Sequence, residues 1–299
     1  MKIAAATGAL LAGFACGLCG CGEPSPEPYI ELLKSTHSDE REEGAYELLR
    51  LGPAAVPRLL EELDAPSSQV RYIVVQLLGR LRDQRAVPFL VAALGDRSAA
   101  VAGKAAWSLS EMRVPEALPA LLKMADHGTT ERRRHALRAL GFCHSYDWEP
   151  VLSSAAFEKV FAALGDTVPQ VRIGALEGIR QFGYRRAAAE VVRMSRDPSP
   201  EVRYVAVQAL GQIAAGVAPN AEDLAPKRRR EVIAALVAAL EEDRYQSIRT
   251  ESIRALAQSG DLAVVPRLKR LRREGTEEDG EEVKWALRLL LQDGEGSGP

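Results

Sequence analysis

One motif recurs along this chain, and its clearest copy is Asp197-Pro-Ser-Pro-Glu-Val-Arg-Tyr-Val-Ala-Val-Gln-Ala-Leu-Gly211. The motif reads as a short loop that continues into an amphipathic helix. Related copies have their first helical anchor at residues 41, 70, 101, 132, 171, 202, 248 and 283. A unit that recurs about every 30 to 45 residues is typical of a solenoid, in which each repeat packs on its neighbours. The sequence therefore predicts an all-α solenoid of about eight helix pairs.

The helix of each copy carries one apolar stripe. Four residues after the anchor the side chain is small in most copies, and eight residues after it stands leucine or isoleucine in every copy. Positions zero, four, five and eight fall on one side of a helix, so we expect them to be buried. The residues at position four are Ala45, Val74, Ala105, Ala136, Ala175, Ala206, Ser252 and Leu287; those at position eight are Leu49, Leu78, Leu109, Leu140, Ile179, Leu210, Leu256 and Leu291.

A second helix precedes each copy and often opens with an aliphatic residue and proline, as in Val56-Pro57 and Val87-Pro88. An aspartate follows that helix, placed where it can accept backbone N–H groups of the next helix. Arginine often stands directly after the anchor, at the edge of the buried stripe. We predict that these groups form a structural ladder, with Arg71, Arg172, Arg203 and Arg249 bonding the loop aspartates Asp96, Asp166, Asp197 and Asp243.

These features resemble the HEAT-like repeats of phycobilin lyase subunits, also called PBS-lyase HEAT repeats. The matching elements are the loop aspartates and the pairs Val70-Arg71, Val171-Arg172, Val202-Arg203 and Ile248-Arg249, over roughly residues 29–292. The resemblance implies a right-handed HEAT-like superhelix, in a family that includes scaffolds, lyases and oxygenases. Its di-iron hydroxylase branch needs repeated His-Glu pairs, and none of the four histidines is followed by glutamate.

The amino terminus has the features of a secretory signal. Met1-Lys2 supplies a positive charge before a short apolar run, and Leu18-Cys19-Gly20-Cys21 resembles the lipobox of bacterial lipoproteins. The resemblance implies a signal peptide over residues 1–20 and lipidation of Cys21, with the outer membrane favoured because glycine rather than aspartate follows. An ordinary cleaved signal or an uncleaved apolar anchor are the alternatives. Residues 21–28 then form a proline-rich tether, and residues 293–299 a flexible tail.

The composition excludes several classes of function. The formal net charge of the 299 residues is −2, which gives no field that would attract nucleic acid. The sequence has no phosphate-binding loop and no nucleophile elbow, and Cys143 is the one cysteine after the lipobox. His135, Cys143, His144 and Asp147 match no standard metal spacing. We therefore expect no catalytic residue, no metal and no cofactor.

The face of the repeated helix opposite the stripe is the predicted binding surface. In HEAT folds this helix lines the concave face, and aromatic and arginine side chains anchor interfaces. Alternatively, the tyrosines cover the seams between repeats and the arginines are solvated. Two further candidates, Tyr146 and Trp148, lie in an inserted stretch at residues 144–157, and a second insertion spans residues 215–226. The predicted concave-face residues are Tyr72, Gln76, Trp107, Arg134, Arg138, Tyr204 and Gln208.

The sequence thus predicts a non-enzymatic protein that is anchored to the membrane by its lipid. We expect it to be a scaffold or assembly factor of the bacterial cell envelope, with its folded part outside the cytoplasm and another protein bound on the concave face. A lyase-like enzyme or enzyme subunit that acts on a prosthetic group is one alternative. A peptide-binding component of envelope signalling is the other.

Overall fold

The protein is all-α in the computed structural model, which describes residues 25–142, 150–182, 187–216, 225–274 and 277–292. Within these ranges the chain forms α-helices and short 3-10 turns, with no β-strand. This confirms the predicted fold class. The chain divides into two compact units, Met1–Ser108 and Leu109–Pro299.

The described part of the first unit, from residue 25 onward, contains five complete helices and the start of a sixth, which continues past Ser108 into the second unit. These are α1 (Glu27–Leu33), α2 (Ser38–Leu51), α3 (Val56–Glu61), α4 (Ser68–Leu81), α5 (Val87–Ala93) and α6 (Ala99–Met112).

The second unit continues the alternation of helices. They are α7 (Leu118–His127), α8 (Thr130–Phe142), α9 (Pro150–Ala162), α10 (Pro169–Phe182), α11 (Ala188–Met194), α12 (Pro200–Ala214), α13 (Pro226–Glu242), α14 (Gln246–Gln258), α15 (Val265–Glu274) and α16 (Glu277–Gln292).

Proline sets the start of several second helices. Helices α3, α5, α7 and α15 begin at Val56, Val87, Leu118 and Val265, each one residue before a proline and each after a short 3-10 turn. Proline suits the first helical turn because its missing N–H would have no intrahelical partner there. The aliphatic-proline pairs therefore mark these starts correctly in the sequence.

The predicted stripe forms the core of each unit. At position four, Ala136, Ala175 and Ala206 are fully buried, and at position eight Leu78 and Leu210 are fully buried. Each fully buried leucine contributes about 1.5–3 kcal/mol relative to an exposed one. Repeated burial at the same positions explains why the motif recurs.

The stripe prediction is wrong in the first and last copies. Tyr46 stands at position five of the first copy and Leu291 at position eight of the last, yet these side chains are 63% and 46% exposed. Internal stripe residues are covered by a repeat on each side, whereas no further copy of the motif precedes the first copy or follows the last one among the described residues. Comparison of the motif copies within the sequence cannot distinguish a stripe covered on both sides from one covered on one side.

Helices α8 and α10 approach each other through glycines. A Cβ atom built on Gly141 would lie 2.3 Å from the backbone oxygen of Gly178, and one built on Gly178 would lie 2.5 Å from the backbone oxygen of Leu137. On α10, a Cβ atom on Gly174 would lie 2.8 Å from the Cα atom of Arg134. The two backbones therefore touch along this seam, and no larger residue fits.

The first insertion is shorter than predicted. Part of the first predicted loop, residues 144–157, belongs to helix α9, which begins at Pro150. The remaining residues of this stretch, 144–149, lie outside the described ranges, as do residues 217–224 of the second insertion. Helix α1 begins at Glu27, inside the stretch predicted as a tether.

Candidate partner-binding surfaces

An arginine in the first unit joins two successive repeats. Arg71 donates from Nε and Nη2 to the two carboxylate oxygens of Asp96, at 2.7 and 2.9 Å. Its Nη1 donates to the backbone oxygen of Ala65, in the loop that precedes its own helix, at 2.7 Å. The guanidinium is thereby held on both sides, and its side chain is 4% exposed. Two parallel bonds from one arginine to one carboxylate are among the stronger hydrogen bonds in proteins.

The same arrangement occurs twice in the second unit. Arg172 donates to both oxygens of Asp197 at 2.8 and 2.6 Å, and Arg203 to both oxygens of Asp243 at 2.6 and 3.1 Å. The Nη1 atom of Arg172 donates to the backbone oxygen of Asp166 at 2.8 Å. The ladder prediction named these four residues without assigning pairs, and in both pairs the aspartate comes from the loop that opens the next copy of the motif.

Each of the four predicted aspartates also accepts a backbone N–H two residues further along the chain. The N–H group belongs to the residue just before the next helix, so the bond fixes the turn that leads into that helix. One carboxylate therefore fixes both a helix start and a neighbouring repeat. The bonds are Ser98 N to Asp96 at 2.7 Å, Val168 N to Asp166 at 2.9 Å, Ser199 N to Asp197 at 2.8 Å and Tyr245 N to Asp243 at 3.0 Å.

Each arginine–aspartate pair forms one rung of the ladder. Two rungs contain a residue that was not predicted from the sequence. Arg133 donates to the carboxylate of Asp166, and it occupies the same position after the anchor as the predicted arginines. The Nη2 atom of Arg249 lies 3.5 Å from a carboxylate oxygen of Asp279. Asp279 stands four residues before the anchor at residue 283, whereas the predicted aspartates stand five or six residues before their anchors. Alignment on position one would have identified Arg133, since only the anchor before it departs from the motif.

The ladder shifts the acidity of its carboxyl groups. The hydrogen bonds from Arg71 hold the pKa of Asp96 below its usual value, against the opposing effect of burial. The pKa of Asp243 is also lowered: burial opposes the shift, and the bonds from Arg203 and the backbone of Tyr245 overcome it. Both groups are therefore ionised in the folded protein at neutral pH.

The predicted concave-face residues are divided between the two units. Tyr72, Gln76 and Trp107 belong to the first unit, and Arg134, Arg138, Tyr204 and Gln208 to the second. In the first unit the Nζ atom of Lys104 lies 4.9 Å from the ring centre of Tyr72, which is a cation–π contact.

A groove of about 400 Å³ lies between α2 and α4 in the first unit. Its apolar part includes Leu49, Ile73 and Leu77, and two tyrosines, Tyr46 and Tyr72, line it as well. The polar residues that complete the lining are Ser38, Arg41, Glu42, Gln69, Gln76 and Arg80. An apolar groove with polar groups around it and an exposed aromatic ring has the composition of a protein-binding site.

The second unit presents a surface on which charges are paired. Arg134 donates to Glu177 at 2.6 Å and to Gln170 at 3.3 Å, while Arg254 donates to Glu282 at 2.6 Å. These cations therefore already have acidic partners within the protein. A ligand would need to bind the pairs as they stand or to replace one member.

Gln208 connects the remaining predicted residues of the second unit. Its amide donates to the hydroxyl of Tyr204 at 3.3 Å, and with Arg138 it lines a small pocket of about 150 Å³. Glu251 is bonded to the same amide, and burial raises the pKa of Glu251 although Arg254 opposes the shift. This surface is polar and narrow, in contrast to the α2–α4 groove.

Several predicted sites fall outside the described residues. Cys21, proposed for lipidation, and the loop candidates Tyr146 and Trp148 are among them. In the ranges that the structure does describe, no helix is both long and apolar enough to span a membrane. The same ranges contain no group of three histidine, cysteine or acidic side chains arranged to hold a metal ion.

Comparisons with known proteins identify the repeat. A family profile for HEAT repeats matches residues 56–155 and 157–226. The search of curated proteins gives no match.

Solved structures share the helical architecture. The Escherichia coli protein YibA is 22% identical, with a TM-score of 0.54 over 89% of this chain and 92% of its own. Kap95p, in its complex with RanGDP, is 14% identical with a TM-score of 0.67, over 89% of this chain and 41% of that one. Importin beta in an ammonium sulfate condition is 14% identical with a TM-score of 0.64, over the same shares. Identities this low show the fold alone.

Proposed function

The chain belongs to the HEAT repeat family, and from this premise we propose that it is a scaffold that binds a partner protein in the bacterial cell envelope. A scaffold acts by presenting a surface, without bond chemistry. The absence of a catalytic motif from the sequence is in keeping with that role.

The α2–α4 groove is the observation that carries the proposal. It places an aromatic side chain that is 63% exposed, Tyr46, beside the apolar residues Leu49, Ile73 and Leu77. Tyrosine is enriched among the residues that dominate binding energy, and here its ring stands at the edge of an apolar groove. Tyr72 is the second ring of the groove, so two anchors are available to one partner segment.

We expect the groove tyrosines to decide partner capture from gently solubilised cell envelopes. Replacing both Tyr46 and Tyr72 with alanine is expected to lower recovery of the partner at least about tenfold, because each aromatic anchor contributes about 2 kcal/mol. Recovery would be measured by quantitative mass spectrometry of the captured proteins, followed by titration of the purified partner against the purified scaffold.

The matched control is Phe89→Ala, since Phe89 is 46% exposed on α5 and does not line the groove. It should capture the partner as well as the wild type does. Circular dichroism would establish that the double variant remains folded. Equal capture by the folded double variant would refute the groove as the binding site.

The proposed envelope location has a separate basis. Leu18-Cys19-Gly20-Cys21 resembles the lipobox of bacterial lipoproteins. Acyl chains on Cys21 would supply the two or more hydrophobic signals that stable anchoring requires. The tether that follows, up to the start of α1 at Glu27, would hold the repeats next to the membrane.

Replacing Cys21 with serine is therefore expected to move the protein from the membrane fraction to the soluble fraction and to abolish incorporation of labelled palmitate. Cys16→Ser provides the control, because it leaves the lipobox intact. Retention of the Cys21→Ser protein in washed membranes, with label still attached, would overturn the anchor without affecting the groove proposal.

A further inference from the structure

An open cleft of about 1080 Å³ lies between α15 and α16, the last two helices of the described chain. Lys269, Arg272 and Arg273 line it from α15, and Lys284 and Arg288 line it from α16. The described residues of the lining include no acidic side chain. Five cations thus surround one concave space.

The apolar lining of this cleft is the stripe of the last repeat. Leu287 and Leu291 stand one helical turn apart at positions four and eight of the motif. In the internal copies the residues at these positions are covered by the following repeat, and Leu210 and Leu256 are at most 1% exposed. Leu291 is 46% exposed. The surface that receives a helix elsewhere in the fold is therefore uncovered at this end.

The basic side chains of α15 form two groups, one that lines the cleft and one that pairs with Glu241. Arg270 and Arg267 pair with Glu241, at 2.9 and 3.5 Å, away from the cleft. Within the cleft lining, Lys284 binds Glu281, which is not part of the lining. The bond from Lys284 lowers the pKa of Glu281, with smaller effects from Arg288 and Arg272. Glu281 thus interacts with several cations of the cleft, and among the described residues the lining carries five positive charges and no negative one.

We propose that this C-terminal cleft binds an acidic amphipathic helix of a partner protein. The apolar side of that helix would cover Leu287 and Leu291 as a following repeat would, and its carboxylates would meet the five cations. Such helix-in-groove binding draws affinity from the apolar contact, and charge complementarity fixes orientation and increases the association rate.

The shape of the cleft favours a protein segment over a lipid surface. Both leucines line the cleft, but Leu287 is only 6% exposed, whereas Leu291 is 46% exposed. A flat bilayer would reach the outer side chains only, but an inserted helix can contact both leucines. The cleft shares no residue with the α2–α4 groove and lies in the other compact unit. Its test is therefore independent of the test of the groove.

The probe is a fluorescein-labelled peptide of about 20 residues with the repeated sequence Leu-Glu-Glu-Leu-Leu-Glu-Glu, which forms a helix with one apolar side. Its binding to the full-length protein would be measured by fluorescence anisotropy. Exchanging two cleft cations in Lys269→Glu/Arg288→Glu is expected to weaken binding about tenfold or more. A peptide with lysine in place of glutamate should not bind the wild type.

The matched control is Arg267→Glu/Arg270→Glu, which makes the same change in charge on the opposite side of α15. It should bind the acidic peptide within about twofold of the wild type. Three results would overturn the proposal: no binding of the acidic peptide to the wild type, equal weakening by both double variants, or undiminished binding to the cleft variant. Binding of the wild type to phosphatidylglycerol vesicles, with no binding to the peptide, would assign the cleft to a membrane surface instead.

Discussion

Replacing Gly178 with leucine is expected to lower the free energy of unfolding by about 3 kcal/mol, which is the upper range for overpacking a tightly filled core. A Cβ atom at this position would lie 2.5 Å from the backbone oxygen of Leu137 and 3.1 Å from a methyl group of Val160. The nearer group is backbone within helix α8, so it cannot move aside as a flexible side chain can. The two helices must separate, and the buried contacts along their seam are then lost.

Urea denaturation followed by circular dichroism would measure this effect. Gly165→Leu is the control in the same unit, since a Cβ atom at Gly165 would have no neighbour within 4 Å. It should leave the unfolding midpoint nearly unchanged. If Gly178→Leu is as stable as the control, α8 and α10 do not pack through direct backbone contact.

Replacing Arg71 with alanine is expected to cost about 3 kcal/mol, because removing one member of a buried ion pair leaves the other charge without its partner. The Asp96 side chain is 11% exposed, so water compensates little for the loss. The substitution also leaves the backbone oxygen of Ala65 without its donor. Arg50→Ala provides the contrast: Arg50 pairs with Glu47 on the surface of α2, where water replaces the contact, and little change is expected.

The effect of Arg71→Ala should depend on pH. Because Arg71 lowers the pKa of Asp96 in the folded protein, the ion pair contributes its full stabilisation above the unfolded pKa of about 3.9. That stabilisation is lost as the pH falls through the lower folded pKa. The stability difference between wild type and Arg71→Ala should therefore be largest near neutral pH and shrink in acid. A difference that stays constant down to pH ~3 would contradict an ionic role for this pair.

Much of the fold could be predicted from the sequence because the same physical requirement repeats. Burial of one helix face selects small residues and leucine at fixed positions, so Ala136 and Leu210 can be assigned to the core without a structure. The requirement does not hold in the first and last described copies. Tyr46 and Leu291 occupy stripe positions and are nevertheless exposed, because burial depends on a neighbouring repeat that the motif alone does not reveal.

The candidate surfaces were harder to predict than the core. Arg134 belongs to the predicted binding face, but whether it is available depends on Glu177, a residue 43 positions further along the chain. The α2–α4 groove depends on Tyr46, which the stripe rule assigns to the interior. The C-terminal cleft arises because no described helix follows α16. In each case the deciding factor is which residues lie together across repeats, and helical periodicity does not contain that information.

The ladder keeps one separation along the chain constant and leaves another free to vary. Arg71, Arg172, Arg203 and Arg249 each bond the backbone oxygen of the residue six positions earlier. The separation from ladder arginine to the next ladder aspartate is 25 residues in two rungs and 40 in a third. The number of residues between a ladder arginine and its aspartate can therefore change, while the hydrogen bonds that the arginine makes stay the same. For an engineer, the segment that follows the repeated helix is the place to graft a loop, and the seven residues that end at each ladder arginine are the part to leave intact.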